Sequence, residues 1–203
     1  MCVCDFHIHH KRLYPAILSS KSAQAGEYTS LEFHPWHLPE NFSGLPDFAA
    51  ELNDFTALGE IGLDRLRGPA IEIQQQYLKT LLQLASDCNK PVIFHCVRAF
   101  PELFALIKPY SFPWAIHGFR GKVELLEEIR QRGGIVSLHG SVINNLPLLK
   151  KLASLQGKIA FETDDDAELD LETVVDCAMS RSGNTDLLKI ANDTFMEFVS
   201  YGK

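Results

Sequence analysis

The regular alternation of short apolar runs with longer amphipathic segments is the feature that most constrains the fold of this chain. Apolar runs of four to eight residues are typical of buried strands. They cover residues 3–8, 56–62, 91–95, 114–118, 135–138 and 158–163. Apolar residues at three- and four-residue steps predict helices over residues 71–88, 101–107, 123–130, 147–155, 171–179 and 186–199. This alternation predicts parallel strands joined by helical crossovers, in either an open doubly wound sheet or a (β/α) barrel.

The composition is that of one globular domain. The chain has 203 residues, of which 46% are hydrophobic and 22% are charged, which excludes a disordered or collagenous protein. No linker-like stretch divides it, so we predict a single domain over residues 1–203. No apolar run reaches about 18 residues and no signal peptide is visible, so we expect a cytoplasmic protein that does not contact membranes.

The charge balance bears on the class of partner. Nineteen lysines and arginines against twenty-six aspartates and glutamates give a net charge of −7. This disfavours a protein that coats nucleic acid, because such binding depends on clustered cations that release counterions. It does not exclude an enzyme that meets phosphate groups only at a local metal site.

Histidines and acids lie at or near the ends of the predicted strands. His7 and His9 are two residues apart on the first strand, so their side chains share a face. The other strand-end residues of this kind are Glu60, His95, His117 and Asp164. In barrels of parallel strands the active site lies at the carboxyl ends of the strands. Imidazole and carboxylate groups together are suitable ligands for zinc, manganese or similar cations. Taken singly, each residue also fits a hydrogen-bonded core histidine or a paired acid, but burying all of them without a cation would cost several kcal/mol.

The order of these blocks resembles that of the TatD-like metal-dependent hydrolases. The matching blocks are Asp5-Phe6-His7-Ile8-His9, Glu32-Phe33-His34-Pro35, Gly59-Glu60-Ile61-Gly62-Leu63-Asp64, Pro91-Val92-Ile93-Phe94-His95, His117-Gly118-Phe119-Arg120-Gly121 and Glu162-Thr163-Asp164. The resemblance implies a TIM-type (β/α) barrel of the amidohydrolase superfamily. It also implies a hydrolase with two divalent metal ions, such as zinc, magnesium or manganese, usually described as a deoxyribonuclease.

The resemblance implies a role for each matching residue. His7 and His9 would bind one metal, and Glu60 would bridge two. The second metal would be served by His95 and His117. Asp164 would bind the first metal and help to deprotonate the attacking water, so Asp164 and Glu60 are the predicted catalytic residues.

The sequence also departs from the family pattern. The stretch Lys11–Glu27 is too short for the helix and strand that usually follow the first block, so we expect a barrel that is distorted or lacks one βα unit near residues 11–27. Val97 stands where an arginine is common, and Arg98 follows it. We predict substrate contacts from Arg98 and Arg120, because guanidinium binds phosphate oxygens in a bidentate way, and from His34 at the mouth of the site.

Three functions stay open at this point. The first is a phosphodiesterase or deoxyribonuclease acting on nucleic-acid ends through a metal-activated water. The second is an amidohydrolase-type enzyme for a small substrate that is not a nucleic acid, and the third is a metal-binding protein that has lost turnover. We expect a small-molecule or nucleic-acid-end substrate and no obligate protein partner.

Overall fold

The strands of this fold are short and almost wholly buried, as strands of parallel sheets usually are. The computed structural model describes residues 3–21, 27–152 and 158–202. The strands in this part of the chain are β1 (Asp5–Ile8), β2 (Ala16–Ser20), β3 (Tyr28–Leu31), β4 (Ala57–Asp64), β5 (Val92–Val97), β6 (Trp114–Phe119), β7 (Ile135–His139) and β8 (Ile159–Glu162).

Helices separate most of these strands. They are α1 (Ala49–Asn53), α2 (Ile71–Asp87), α3 (Phe100–Ile107), α4 (Val123–Gln131), α5 (Leu146–Leu152), α6 (Leu171–Ser182) and α7 (Leu187–Val199). Two short 3₁₀ helices cover Pro35–His37 and Gly140–Asn144. Within the described ranges, no helix is long and apolar enough to cross a bilayer.

Contacts divide the chain into two units. The first unit comprises Met1–Leu18 and Ala115–Ser200, and the second comprises Ser19–Trp114 with Tyr201–Lys203. In the first unit β1 pairs in parallel with β2, and β7 pairs in parallel with both β6 and β8. Ile8 forms a parallel bridge with Asp164, just beyond β8, and the ring of Phe6 on β1 lies 4.8 Å from that of Phe198 on α7. This packing carries the end of β1 to the end of β8.

The second unit is built around β4. All eight residues of β4 are buried, and it pairs in parallel with β3 and β5. Helix α2 packs on β4 through one face, which buries Tyr77, Leu78, Leu81, Leu82 and Ala85. The amide of Gln74 on the same face is buried too, and it bonds to the backbone at the end of β4.

The predicted elements agree with the observed ones to within a few residues, with three exceptions. Sequence patterning does not indicate β2, β3 or the five-residue helix α1. The sequence predicts that a βα unit near residues 11–27 is distorted or missing. In the structure the strand of this region, β2, is present, but residues 9–15, which join β1 to β2, contain no helix. Residues 22–26 of that stretch, and 153–155 of the helix predicted over 147–155, lie outside the described residues.

Candidate metal centre

One cluster of histidines and an acid lies at the strand ends of the first unit. His7 is fully buried in β1 and His9 follows that strand. Their Nε2 atoms are 3.3 Å apart, and Oδ1 of Asp164 is 3.9 Å from the first and 3.6 Å from the second. The ring of His117, on β6, is centred 4.6 Å from that of His7. Ligand atoms of His7, His117 and Asp164 all lie within 4.8 Å of one another.

The backbone of β1 holds Asp164 in an uncommon conformation. Asp164 has a φ of +56°, in the left-handed region that costs a non-glycine residue free energy. Its N–H donates to the carbonyl of His7 at 3.0 Å, and its carbonyl accepts from the N–H of His9 at 3.2 Å. These two bonds set the Asp164 carboxylate beside the two imidazoles.

Two buried carboxylates lie behind this first cluster. Asp5 accepts hydrogen bonds from the N–H of Thr163 at 3.1 Å and from its hydroxyl at 2.8 Å. Burial nevertheless raises the pKa of Asp5 to about 7, against the lowering effect of these two bonds. Glu162 is fully buried, accepts from the N–H of Gly118, and has Oε1 3.5 Å from Nδ1 of His117. A carboxylate behind an imidazole is the usual device that orients a metal-binding histidine.

A second cluster lies in the second unit. Glu60, on β4, has Oε1 2.9 Å from Nδ1 of His95 on β5 and 3.1 Å from Nε2 of His34. The rings of His34 and His95 are centred 4.6 Å apart. All three residues are buried, although each carries a polar or charged group. Three ligand atoms in so small a buried volume form a candidate cation site.

A hydrogen-bonded support fixes His95 from its other side. Oδ2 of Asp64 is 3.0 Å from Nε2 of His95 and accepts a 2.6 Å bond from the indole N–H of Trp36. Burial alone would raise the pKa of Asp64, but the bonds from Trp36 and His95 outweigh it and lower that pKa. The backbone of Asp64 bonds twice to the side-chain amide of Gln74, at 2.7 and 2.8 Å.

Both clusters fit a divalent cation. A neutral imidazole carries a single N–H, so His95 in its neutral form, between two carboxylates, can donate to only one of them. A cation held by Glu60 and His95 would remove this conflict. In the first cluster, two nitrogens bound at about 2.0–2.1 Å to a tetrahedral ion would lie about 3.3–3.4 Å apart. The Nε2 atoms of His7 and His9 have this separation, 3.3 Å.

The predicted ligands therefore fall into the two clusters. His7, His9, His117 and Asp164 belong to the first, and Glu60 and His95 belong to the second. The resemblance groups His117 with His95; in the first unit His117 lies beside His7, Asp164 and Glu162. The bridging role of Glu60 and the assignment of each ligand to a metal stay predictions.

The predicted substrate contacts occupy different surroundings. Arg98 and Arg120 are exposed and directly follow β5 and β6, so both remain candidates for phosphate contacts. His34 is a member of the second cluster, and its Nδ1 also accepts from the N–H of Trp36 at 3.1 Å.

The sequence does not predict the support formed by Trp36, Asp64 and Gln74. The signals for Asp64 are its position at the end of β4 and its place in the block that begins at Gly59.

Curated relatives match parts of the chain. The chain is 34% identical over 116 residues to the "3'-5' ssDNA/RNA exonuclease TatD" of Pantoea ananatis, covering 54% of this chain and 45% of that protein. It is 32% identical over 85 residues to the "Uncharacterized metal-dependent hydrolase MJ1582" of Methanocaldococcus jannaschii, covering 42% of this chain and 33% of that protein. The matches thus span less than half the length of these relatives.

Solved structures match nearly the whole chain. The TatD homolog YJJV of Escherichia coli K12 superposes with a TM-score of 0.70 at 20% identity, over 99% of this chain and 98% of that one. A TatD-family hydrolase of Entamoeba histolytica gives a TM-score of 0.67 at 14% identity, over 98% of each chain. This likeness confirms the predicted fold class, a TIM-type (β/α) barrel. The family model described as "TatD related DNase" matches residues 3–168, and the chain belongs to this family.

Proposed function

We propose that this chain is a metal-dependent hydrolase that cleaves phosphodiester bonds at nucleic-acid ends. The observation that carries the proposal is the pair of histidine and carboxylate clusters on the strands and just beyond them, each with a donor set that suits a divalent cation. Membership of the TatD related DNase family supports the reaction class. The single-stranded DNA and RNA substrates in the name of the Pantoea relative support nucleic acid as the substrate.

Each cluster would hold one cation. His7, His9, His117 and Asp164 would hold one, and Glu60, His95 and His34 would hold the other. Bound divalent cations supply Lewis acidity, which lowers the pKa of water and neutralises charge that develops on phosphoryl oxygens. Zinc, magnesium and manganese are all compatible with the mixed nitrogen and oxygen donors.

The residues of the chain have distinct tasks in this proposal. The Asp164 carboxylate accepts the proton of the attacking water, since its side chain is 20% exposed at the edge of its cluster. Asp64 and Glu162 orient the imidazoles of His95 and His117. Arg98 and Arg120 bind phosphate groups of the substrate.

Ligand substitutions test the proposal directly. We expect His95→Ala and Asp164→Asn to lower metal-dependent hydrolysis at least about 100-fold, with an unchanged far-UV circular dichroism spectrum. His10→Ala is the matched control, because His10 is exposed and bonds only to the carbonyl of Asp165 among the contacts described. Elemental analysis of each protein would report the metal retained. Full activity of either ligand variant, or activity that EDTA does not affect, would contradict the proposal.

A substrate panel separates this reaction from acyl hydrolysis. The panel contains single-stranded oligonucleotides, a simple phosphodiester, and amide, ester and lactone compounds. Cleavage of the oligonucleotides from an end supports the proposal. Turnover confined to the acyl compounds would favour an amidohydrolase-type enzyme, and metal binding without any turnover would favour a binding protein.

A further inference from the structure

A cavity of about 470 Å³ lies beside the second cluster, within the second unit. Its walls come from the end of β3, the 3₁₀ helix Pro35–His37 and the loop that leads to α1. His34 lines the cavity, and Nε2 of the same residue is 3.1 Å from Oε1 of Glu60. A molecule in this cavity would therefore meet the candidate cation site at His34.

The walls are mostly apolar and partly aromatic. Leu31, Phe33, Leu45 and Phe48 line the cavity, and the rings of Phe33 and Phe48 are centred 4.9 Å apart at an interplanar angle of 62°. A volume of this size holds a small organic ligand. Aromatic walls favour a flat ring that can pack against them.

Two carboxylates line this cavity, Glu32 and the exposed Glu51. Glu32 lines it with a side chain that is 16% exposed, and Oε2 accepts a 3.2 Å bond from the hydroxyl of Ser19. Its Oε1 is 3.8 Å from Nδ1 of His37, beyond hydrogen-bond distance. A carboxylate only accepts hydrogen bonds, so Oε1 favours a ligand that brings an N–H group and disfavours one that presents a carbonyl.

We propose that this cavity binds a nucleobase that carries an exocyclic amino group, with Glu32 accepting from that group. The inference rests on the proposed function and names the part of the substrate that would lie beside the bond that is cleaved. Carboxylates read the N4 amino group of cytosine in the same way in other nucleic-acid complexes. Lys21, which is exposed and also lines the cavity, supplies a positive charge for the phosphate of the same nucleotide.

Binding in the presence of EDTA tests this without turnover. The probes are 2′-deoxycytidine 5′-monophosphate and thymidine 5′-monophosphate, measured by isothermal titration calorimetry. The two bases have the same ring size, but thymine presents a carbonyl where cytosine presents the amino group. We expect the cytidine nucleotide to bind the wild-type chain about tenfold more tightly.

Two variants and two controls assign the effect to the cavity. The amide of Glu32→Gln can accept from the amino group of cytosine or donate to the carbonyl of thymine. We therefore expect the affinities for the two nucleotides to differ by no more than about twofold. Phe48→Leu should weaken both nucleotides at least about fivefold, because it removes an aromatic wall. Glu40→Gln, on the same loop but outside the cavity lining, and Phe100→Leu, in α3, should change neither affinity.

The outcomes separate this inference from the proposed function. Equal affinity of the wild-type chain for the two nucleotides, an unchanged preference in Glu32→Gln, or tighter binding of hexanoate than of either nucleotide would overturn the inference. Metal-dependent cleavage of oligonucleotides together with any of these results would leave the proposed function standing. Selective nucleotide binding by a chain that cleaves nothing would keep the cavity assignment and reject the hydrolase.

Discussion

At the scale of single residues, a relay of polar contacts runs from the surface to the second cluster. The indole N–H of Trp36 donates to Asp64, Asp64 contacts His95, and His95 contacts Glu60. Trp36 is 39% exposed, and the guanidinium of Arg67 lies 4.4 Å above its ring. Polar contacts thus link a partly exposed aromatic residue to a buried imidazole.

Trp36→Phe removes the indole N–H that donates to Asp64. Asp64 would lose a 2.6 Å bond and gain freedom to turn away from His95. We expect the affinity of the chain for zinc or manganese to fall about tenfold, with little change in the thermal unfolding midpoint. Competition with a chromogenic chelator measures the affinity. Leu66→Ala is the control, since Leu66 is 59% exposed and lies two residues from Asp64. An affinity equal in both variants would show that Trp36 does not position the ligand.

The sequence predicts the residues of the two clusters better than it predicts their support. His7, His95 and Asp164 could be found because a strand end fixes where a side chain goes before any packing is known. The contact of Trp36 with Asp64 joins residues 28 positions apart and depends on the path of the loop after β3. No periodicity in the sequence encodes the path of a loop, so this contact could not be predicted and is seen only in the structure.

At the scale of elements, the approach of β4 to β5 depends on glycine. Gly62 has a φ of +151° and pairs with His95, and a Cβ atom there would lie 1.9 Å from the carbonyl oxygen of His95. A side chain at this position would push apart the two strands that carry Glu60 and His95. The glycines of the Gly59-Glu60-Ile61-Gly62 block thus serve the strand pairing as well as the chemistry.

Gly62→Ala should therefore lower the free energy of unfolding by at least about 3 kcal/mol and also weaken metal binding. Urea denaturation followed by circular dichroism measures the first effect. Gly133→Ala is the matched control: Gly133 has a φ of +84° but open space around its Cβ position, so a loss of about 1 kcal/mol is expected. Equal losses in the two variants would mean that backbone conformation, and not the close approach to β5, sets the requirement for glycine.

Elements with strong periodicity were predictable and weak ones were not. Helix α2 shows its buried stripe in the sequence, whereas β2 reads Ala-Ile-Leu-Ser-Ser and β3 reads Tyr-Thr-Ser-Leu. Ser19, Thr29 and Ser30 in these two strands are buried, which is a tertiary effect that the local pattern does not carry.

At the scale of the whole molecule, the charge limits how the chain can meet nucleic acid. Its net charge is −7, and the proposed phosphate contacts are confined to Arg98, Arg120 and Lys21. A protein that neutralises six to ten phosphates loses about 10³–10⁵ in affinity between 50 and 200 mM salt. A chain that contacts only a few phosphates should show a much weaker dependence of its affinity on salt.

We therefore expect kcat/KM on a single-stranded 20-mer to fall about twentyfold or less over that range of salt. The measurement is initial rates at fixed metal concentration in potassium chloride, with a simple phosphodiester as the control for direct effects of salt on the site. A fall of a thousandfold on the 20-mer alone would reveal an extended cationic track that the charge balance does not suggest.

The hydrogen bonds between Asp164 and both His7 and His9 determine when the first cluster can form during synthesis on the ribosome. The early histidines emerge more than a hundred residues before the aspartate that joins them. The intervening segment Ser19–Trp114 belongs to the other unit, so this segment is fully synthesised before the first unit can close. The imidazoles of His7 and His9 therefore have no Asp164 beside them until that residue has been synthesised, and only then can the proposed set of ligands be complete.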